Sequence, residues 1–327
     1  MKPLFLSLAF FLLVNYAQAT IRRCNNNPNV TGTYTTAQAA HDAANPGDTI
    51  HLEPSTNGNY GTLTISKRIT LIGTGDFLSA HPGNQVNFYP SGYCSTVNIQ
   101  QGSDSSVISA KVSGNINIYQ SNNITISNTI CGGINFVSNS PNPLNGLTIV
   151  KSDIGSITES GGVTNMTVIR NNRVGSISLG TGCSVILAYN TLFMGGFYSC
   201  QLYNSILSNN IFTQSYYLYS APTFTTCNLF DNIASGNWLP TSNGNLNNVV
   251  MTSVFSNILG SPGNYSFTAD NCQLLPSYPN QNLGMFAGSD PYRLALMPPV
   301  PSIYELTVPA TSGGNILNIT VSTKSNN

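Results

Sequence analysis

The sequence predicts an all-β solenoid, a parallel β-helix, and three observations lead to this prediction. A short motif returns about every twenty residues through the middle of the chain, as it does in solenoid proteins. Within each repeat, aliphatic residues alternate with Thr, Ser or Asn, a period of two that is typical of half-buried strands. No repeat contains enough residues at helical spacing for a crossover helix. Each strand is therefore expected to pair in parallel with its copy one turn away, at about 4.8 Å.

Each repeat reads as strand, corner, strand and loop, and its corner carries a polar residue followed by an aliphatic one. The predicted corner ladder consists of Asn128, Asp153, Asn172, Asn190, Asn210, Asn232 and Asn257, with the register set to within one residue. Asn tolerates the left-handed geometry of a sharp corner better than any residue except Gly. Stacked amides can each donate to one neighbour and accept from the other, at about 0.5–1.5 kcal/mol net per bond. The alternative is that Asn is simply abundant, but its recurrence beside an aliphatic residue favours a ladder.

The first residues have the pattern of an export signal. Lys2 precedes a short apolar stretch, and Ala17-Gln18-Ala19 supplies a small-residue cleavage site. This pattern predicts a signal peptide over residues 1–19. The apolar stretch is shorter than the ~20 residues that a membrane span needs, so no span is expected in the mature chain.

The two ends of the coil need covering because an open β-helix end exposes unpaired strand edges. Residues 20–47 are predicted to form an N-terminal cap with one helix over 35–44, stopped by Asn45-Pro46-Gly47. The coil itself is predicted over 48–287. Residues 288–327 are predicted to be a Pro-rich exit segment followed by a terminal hairpin.

Two segments resemble a known family. Residues 46–50 (PGDTI) and 58–73 (GNYGTLTISKRITLIG) resemble the amino-terminal cap of right-handed, pectin-lyase-like β-helix proteins. The tail segments 284–292 and 298–309 resemble the exit from the coil in a subset that Bacteroidota bacteria secrete. The resemblance implies a right-handed coil and a bacterial protein that is secreted or held at the cell surface. It does not imply an activity, because that superfamily includes both enzymes and non-enzymes.

The composition excludes some classes of partner. Charged residues make up only 7% of the chain, with 11 basic and 11 acidic side chains. This balance argues against nucleic acid, which needs a basic stripe, and against polyanions. A surface of Asn, Ser, Thr, Gly and Tyr suits neutral hydrogen-bonding partners such as sugars. The alternative is that such a surface is simply what keeps a bacterial β-helix soluble.

The seven cysteines do not form a tight disulfide framework or a metal-binding spacing. Cys183 and Cys200 lie about one turn apart and are expected to be near each other. Most of the seven fit better as small core residues.

The candidate catalytic cluster is Lys151, Asp153, Arg170 and Arg173. The resemblance implies two kinds of active site, a lyase site with a carboxylate cluster for calcium and a Lys or Arg base, or a hydrolase site with paired carboxylates. No acids are adjacent in the coil, and the histidines lie near the cap, so neither pattern is met in full. A divergent lyase would use Arg170 as base and Lys151 to neutralise a uronate. The favoured interpretation is a solvated ion pair that contributes little.

A cluster of aromatic residues gives a second candidate surface. Exposed Tyr side chains stack on sugar rings, and the candidates are Tyr198, Tyr203, Tyr216 and Tyr219. Alternate members of the cluster, Phe197, Tyr217 and Trp238, are expected to point into the core. A third hypothesis is ice binding through an outward column of Thr125, Thr148 and Thr167, which the uneven turn lengths disfavour.

The sequence therefore predicts a secreted or cell-surface, non-enzymatic structural or adhesion-type protein that contacts glycans, with a divergent polysaccharide lyase as the alternative. No cofactor is expected, except calcium for the lyase. The expected partners are extracellular polysaccharides or cell-surface components, not nucleic acid. The solenoid ends or the hairpin offer routes to self-association.

Overall fold

The computed structural model of the chain describes residues 19–76, 91–137, 144–160, 164–165, 167–180, 182–197, 200–213, 222–256, 258, 271–298, 302–307 and 319–324. Its helix α1 spans Ala37–Asp42, and a short 3-10 helix spans Met251–Ser253. The strands are β1 Ile21–Cys24, β2 Thr49–Leu52, β3 Thr62–Ile65, β4 Thr70–Ile72, β5 Tyr93–Cys94, β6 Thr96–Ile99, β7 Val107–Ser109, β8 Lys111–Val112, β9 Asn115–Ile118, β10 Thr125–Ser127, β11 Ile130–Val137, β12 Leu144–Asn145, β13 Thr148–Val150, β14 Asp153–Ser160, β15 Thr164–Asn165, β16 Thr167–Arg170, β17 Arg173–Ser178, β18 Val185–Ala188, β19 Thr191–Phe197, β20 Gln201–Tyr203, β21 Ile206–Ser208, β22 Ile211–Phe212, β23 Thr223–Thr225, β24 Asn228–Phe230, β25 Ile233–Ala234, β26 Ser302–Thr307 and β27 Thr320–Lys324.

Two long parallel sheets form the walls of the coil. A ten-stranded sheet runs β1-β2-β4-β7-β10-β13-β16-β18-β21-β24, and a nine-stranded sheet runs β3-β6-β9-β11-β14-β17-β19-β22-β25. Shorter parallel pairs, β5-β8, β12-β15 and β20-β23, lie between them in the chain. Successive strands of each wall come from successive turns, so the predicted all-β parallel β-helix is confirmed. Its right-handed sense stays a prediction.

The core is made of aliphatic columns that run from turn to turn. In the ten-stranded sheet, register aligns one such column, and every member is buried: Ile108, Ile126, Ile149, Ile169, Leu187, Leu207 and Leu229. The nine-stranded sheet contributes a facing column with Ile116, Ile134, Ile157 and Ile177. Six of the seven cysteines are also buried. Each large aliphatic side chain contributes about 1.5–3 kcal/mol on burial.

The expected column of outward threonines is wrong at its third member. Thr125 pairs with Thr148, but Thr148 then pairs with Val168, and Thr167 is buried. On β16 the inward residue is Ile169, which pairs with the inward Ile149. The sequence motif suggests Val168 for this position, one residue earlier. The outer face of this wall is therefore not a threonine array.

Helix α1 closes the first turn of the coil. The Thr36 hydroxyl caps it by accepting a hydrogen bond from Ala39 N at 3.2 Å, and Ala37 and Ala40 are buried. Gln38 Oε1 accepts a hydrogen bond from Thr64 N at 2.8 Å, which satisfies part of the open edge of β3. The helix is shorter than the sequence predicts.

Near the far end of the chain, β26 and β27 pair in antiparallel fashion. Residues 308–318 between them lie outside the described residues, so the predicted terminal hairpin stays a prediction. Residues 1–18, which hold nearly all of the predicted signal peptide, lie outside the described residues. The predicted boundaries between cap, coil and exit segment stay predictions.

Candidate functional site

The corner between the two large sheets is built from two adjacent columns of residues. The first column has left-handed backbone geometry, with φ from 49° to 55°, at Asn128, Lys151, Asn171, Tyr189, Asn209 and Asp231. The next residue in each turn points inward and is buried, at Thr129, Ser152, Asn172, Asn190, Asn210 and Asn232. The left-handed residue and the ladder residue are therefore two different positions, where the sequence suggested one.

The inward column is an asparagine ladder. Each Nδ2 donates to the Oδ1 of the next turn, at 3.0 Å from Asn172 to Asn190, 3.0 Å from Asn190 to Asn210, and 2.9 Å from Asn210 to Asn232. Each Nδ2 also donates to a backbone carbonyl, such as Ile169 O at 2.8 Å from Asn190. Each Oδ1 accepts a further bond from the backbone N–H of the preceding ladder residue. The ladder thus supplies partners to the backbone that the corner would otherwise leave unpaired.

Two predicted ladder members need correction. Asn128 and Asp153 lie on either side of the ladder positions, which are occupied by Thr129 and Ser152. The Ser152 hydroxyl accepts from Thr129 N at 3.2 Å, so a hydroxyl replaces the amide in these turns. At the other end, the amide of Asn232 donates to Asn245 at 2.9 Å, which makes Asn245 the next member of the ladder. The predicted member Asn257 lies outside the described residues.

The left-handed column holds a C-terminal segment, residues 282–297, which we call the strap. Asn209 Nδ2 donates to Asn282 O at 2.9 Å, and Asn171 Nδ2 donates to Ala287 O at 2.7 Å. Asn128 Nδ2 donates to Met297 O at 3.1 Å. Later strap residues contact earlier turns, so the strap runs along the corner against the direction of the coil.

The strap ends against the loop after β4, where the approach of the two backbones requires a glycine. Asp76 N donates to Ala295 O at 2.9 Å. Gly75 has a φ of +91°, and a Cβ added there would lie 2.7 Å from Ala295 O. Only glycine combines this geometry with this contact.

A second hydrophobic core lies under the strap, outside the coil. Register aligns an outward column on the nine-stranded sheet, made of Ile130, Asp153, Arg173, Thr191, Ile211 and Ile233. Ile211 and Ile233 pack there in one cluster with Met285, Tyr292 and Leu296. The strap is therefore attached by burial of apolar surface as well as by the hydrogen bonds of the corner.

The candidate catalytic residues form two separate groups. Asp153 and Arg173 bind each other, with side chains only 8% and 14% exposed, and the Arg173 guanidinium lies 3.9 Å from the centre of the Phe193 ring. Burial raises the pKa of the Asp153 carboxyl, and the charge of Arg173 opposes that rise. This pair is an ion pair in the wall beneath the strap.

Lys151 and Arg170 form the other group, together with a strap residue that the sequence did not identify. Lys151 Nζ lies 2.9 Å from Asp290 Oδ1, and Arg170 Nη2 lies 3.8 Å from Asp290 Oδ2. Arg170 and Asp290 are each 43% exposed. Asp290 is far from both cations in the sequence, so no local pattern could have indicated it. The spacing of Lys151 and Arg170 suggests that they stack on neighbouring turns, but the register differs by one residue. Arg170 pairs with Val150, and Asn171 is the residue that follows Lys151 in the left-handed column.

Of the tyrosines proposed for glycan contact, only Tyr203 lies in the described residues. It ends β20, is half-buried, and pairs with Thr225. Tyr198, Tyr216 and Tyr219 lie outside those residues. Trp238 packs toward the core, as expected, with its ring 4.8 Å from that of Phe212.

The comparisons with known proteins returned nothing: no family model, curated protein or solved structure matches the chain. Within the described residues, no group of three or more His, Cys, Asp or Glu side chains is placed to hold a metal ion. Across the same part of the chain, no helix has both the length and the apolar character that crossing a membrane takes.

Proposed function

We propose that this chain is a secreted or cell-surface structural or adhesion-type β-helix protein, one that contacts neutral glycans and has no catalytic role. The observation that carries the proposal is that each candidate catalytic cation already faces a carboxylate of this chain. Lys151 and Arg170 face the carboxylate of Asp290, and Arg173 faces that of Asp153.

The ion pairs disfavour lyase chemistry for a physical reason. A general base must contact the substrate and must give up its own proton, and a paired carboxylate stabilises the charged form of a guanidinium. Asp153, which would have to bind calcium, is buried against Arg173 under the strap. The half-exposed Arg170 is the only member of the four whose exposure favours the alternative, a divergent lyase that acts on a uronate-containing polysaccharide.

We also propose that the chain is a relative of the right-handed, pectin-lyase-like β-helix proteins that Bacteroidota secrete. The support is the position of the resembling segments. Residues 46–50 and 58–73 contribute β2, β3 and β4 beside helix α1, at the capped end of the coil. Residues 284–292 form the middle of the strap, which gives that exit motif a structural role in covering the corner.

One experiment separates the two functions. Purified protein is incubated with pectate, alginate and related polyuronates in the presence of calcium, and unsaturated products are followed by ultraviolet absorbance. We expect no product from the wild-type chain or from Asp290→Asn, which removes the charge facing Lys151 and Arg170. Product from either protein that disappears in Arg170→Ala would establish the lyase instead. A glycan array with neutral and charged sugars tests binding in parallel. If the protein binds no sugar on the array, the glycan part of the proposal is wrong and only the structural role remains.

A further inference from the structure

The outer face of the nine-stranded sheet carries no charged residue at its two central outward columns within the described strands. Register aligns the first column as Thr62, Thr96, Asn115, Gly133, Ser156 and Ser176, and the second as Thr64, Asn98, Asn117, Asn135, Thr158 and Ser178. Every residue of the second column is partly exposed. We call the second column the outer ladder.

The outer ladder is held in place by its own hydrogen bonds. Asn117 Nδ2 donates to Asn98 Oδ1 at 2.9 Å, and Asn135 Nδ2 donates to Asn117 Oδ1 at 2.8 Å. The Thr158 hydroxyl donates to Asn135 Oδ1 at 2.6 Å. The two bonds donated by amides each use one amide hydrogen, so Asn117 and Asn135 keep a second N–H group for a ligand. Side chains fixed in this way lose little conformational entropy when they bind.

The ladder leads to a cleft at the edge of the same face. The next outward positions are Gln100, Tyr119 and Val137, and together with Gln101 and Gln120 they line a cleft of about 260 Å³. The three glutamines are exposed and Tyr119 is half-buried. The cleft is smaller than the ~300–1,000 Å³ typical of sites for drug-sized ligands, which suits a single ring with its substituents.

We propose that this cleft, with the outer ladder beside it, is a binding site for a neutral glycan chain. Three glutamine amides supply donors and acceptors for sugar hydroxyls, and the ring of Tyr119 supplies an apolar surface for one sugar ring. The absence of charge on these residues means that nothing here compensates the carboxylate of a uronate. The proposal rests on the proposed glycan-contacting function, and it moves the contact from the tyrosines near residue 203 to Tyr119.

The test is affinity electrophoresis of the full mature chain in gels that contain a soluble neutral polysaccharide. The panel is a mixed-linkage β-glucan, a mannan, a xylan and dextran, with alginate as the charged comparison. We expect retardation in at least one neutral gel and none in alginate. Tyr119→Ala should weaken binding about tenfold, which corresponds to about 1.4 kcal/mol, and Tyr119→Phe should retain it because the ring is kept.

Tyr203→Ala is the matched control on another wall, and urea midpoints equal to wild type show that each variant folds. Binding that survives Tyr119→Ala but is lost in Tyr203→Ala would overturn this site and leave the proposed function standing. Retardation in alginate alone would overturn the neutral-glycan assignment. No retardation of the wild-type chain in any gel would overturn both the site and the glycan part of the proposed function.

Discussion

Replacing Asn210 by Ala should destabilise the coil by several kcal/mol, because it removes a hydrogen-bonded amide from the middle of the corner ladder. The side chain is fully buried in the middle of the ladder. Its Nδ2 donates to Leu187 O at 2.8 Å and to Asn232 Oδ1 at 2.9 Å. Its Oδ1 accepts from the backbone N and the Nδ2 of Asn190, both at 3.0 Å. Four bonds at about 0.5–1.5 kcal/mol each give an expected loss of about 2–6 kcal/mol.

The assay is urea unfolding followed by far-ultraviolet circular dichroism, with Asn228→Ala as the matched control. Asn228 lies one turn further on, in β24, and is exposed. Its substitution should change the free energy of unfolding by less than about 0.5 kcal/mol. Asn210→Asp adds a second comparison, because a carboxylate keeps the acceptor but loses both donated bonds and buries a charge. It should be at least as destabilising as Asn210→Ala.

The reasoning is refuted if Asn210→Ala unfolds at the same urea concentration as Asn228→Ala. Such a result would mean that water or the backbone satisfies the corner as well as the amides do. If Asn210→Ala lowers the free energy of unfolding but Asn210→Asp does not, a different step is refuted. The hydrogen bonds that the side-chain oxygen accepts would then be enough to stabilise the corner without the bonds that Nδ2 donates.

Three further predictions follow from burial and charge. Ile177→Asp should cost several kcal/mol because it places an unpaired polar group in the core, and a wild-type urea midpoint would contradict the inward assignment. Asp290→Asn should cost less than about 1 kcal/mol overall, as expected for a partly exposed ion pair, yet it should speed hydrogen exchange of the strap amides; unchanged exchange would contradict its role in attachment. Burial lowers the pKa of His41 from 6.5, and its neutral Nε2 accepts a hydrogen bond from Ser66 N at 3.2 Å. The free energy of unfolding should therefore hold above pH 6.5 and fall as the pH drops below it, and a profile as steep in His41→Gln as in wild type would contradict this assignment.

The fold could be predicted from the sequence because, in a solenoid, each turn packs only on the neighbouring turns and is encoded by one short repeat. Each turn repeats the same alternation of aliphatic and polar residues, so that parallel pairing follows from neighbouring segments alone. What could not be predicted was the register of the corner, because Asn suits both a left-handed turn and an inward ladder. The pair Asn171-Asn172 shows the difficulty, since the first residue holds the strap and the second holds the ladder. The ladder position of Ser152 could not be predicted from a pattern of amides, because its hydroxyl accepts the hydrogen bond from Thr129 N.

The candidate site was only partly predictable because its decisive partner is distant in the chain. The spacing of Lys151 and Arg170 placed them on adjacent turns, and both do face one carboxylate. That carboxylate belongs to Asp290 on the strap, and periodicity holds no information about which face of a coil a later segment will cover. The same limit applies to Tyr119, whose place beside Gln100 depends on the register of two turns.

The corner shows how three consecutive residues of one turn can serve three different structural roles. At Asn209, Asn210 and Ile211, the first side chain binds the strap, the second joins the ladder, and the third packs in the second core under the strap. The strap can cover this corner because the left-handed residue turns its side chain outward while the ladder residue turns inward. A chain that keeps the ladder but loses the outward amides would keep its coil and release its strap. The two columns should therefore respond separately to mutation, with ladder substitutions changing global stability and left-handed substitutions changing only the attachment of residues 282–297.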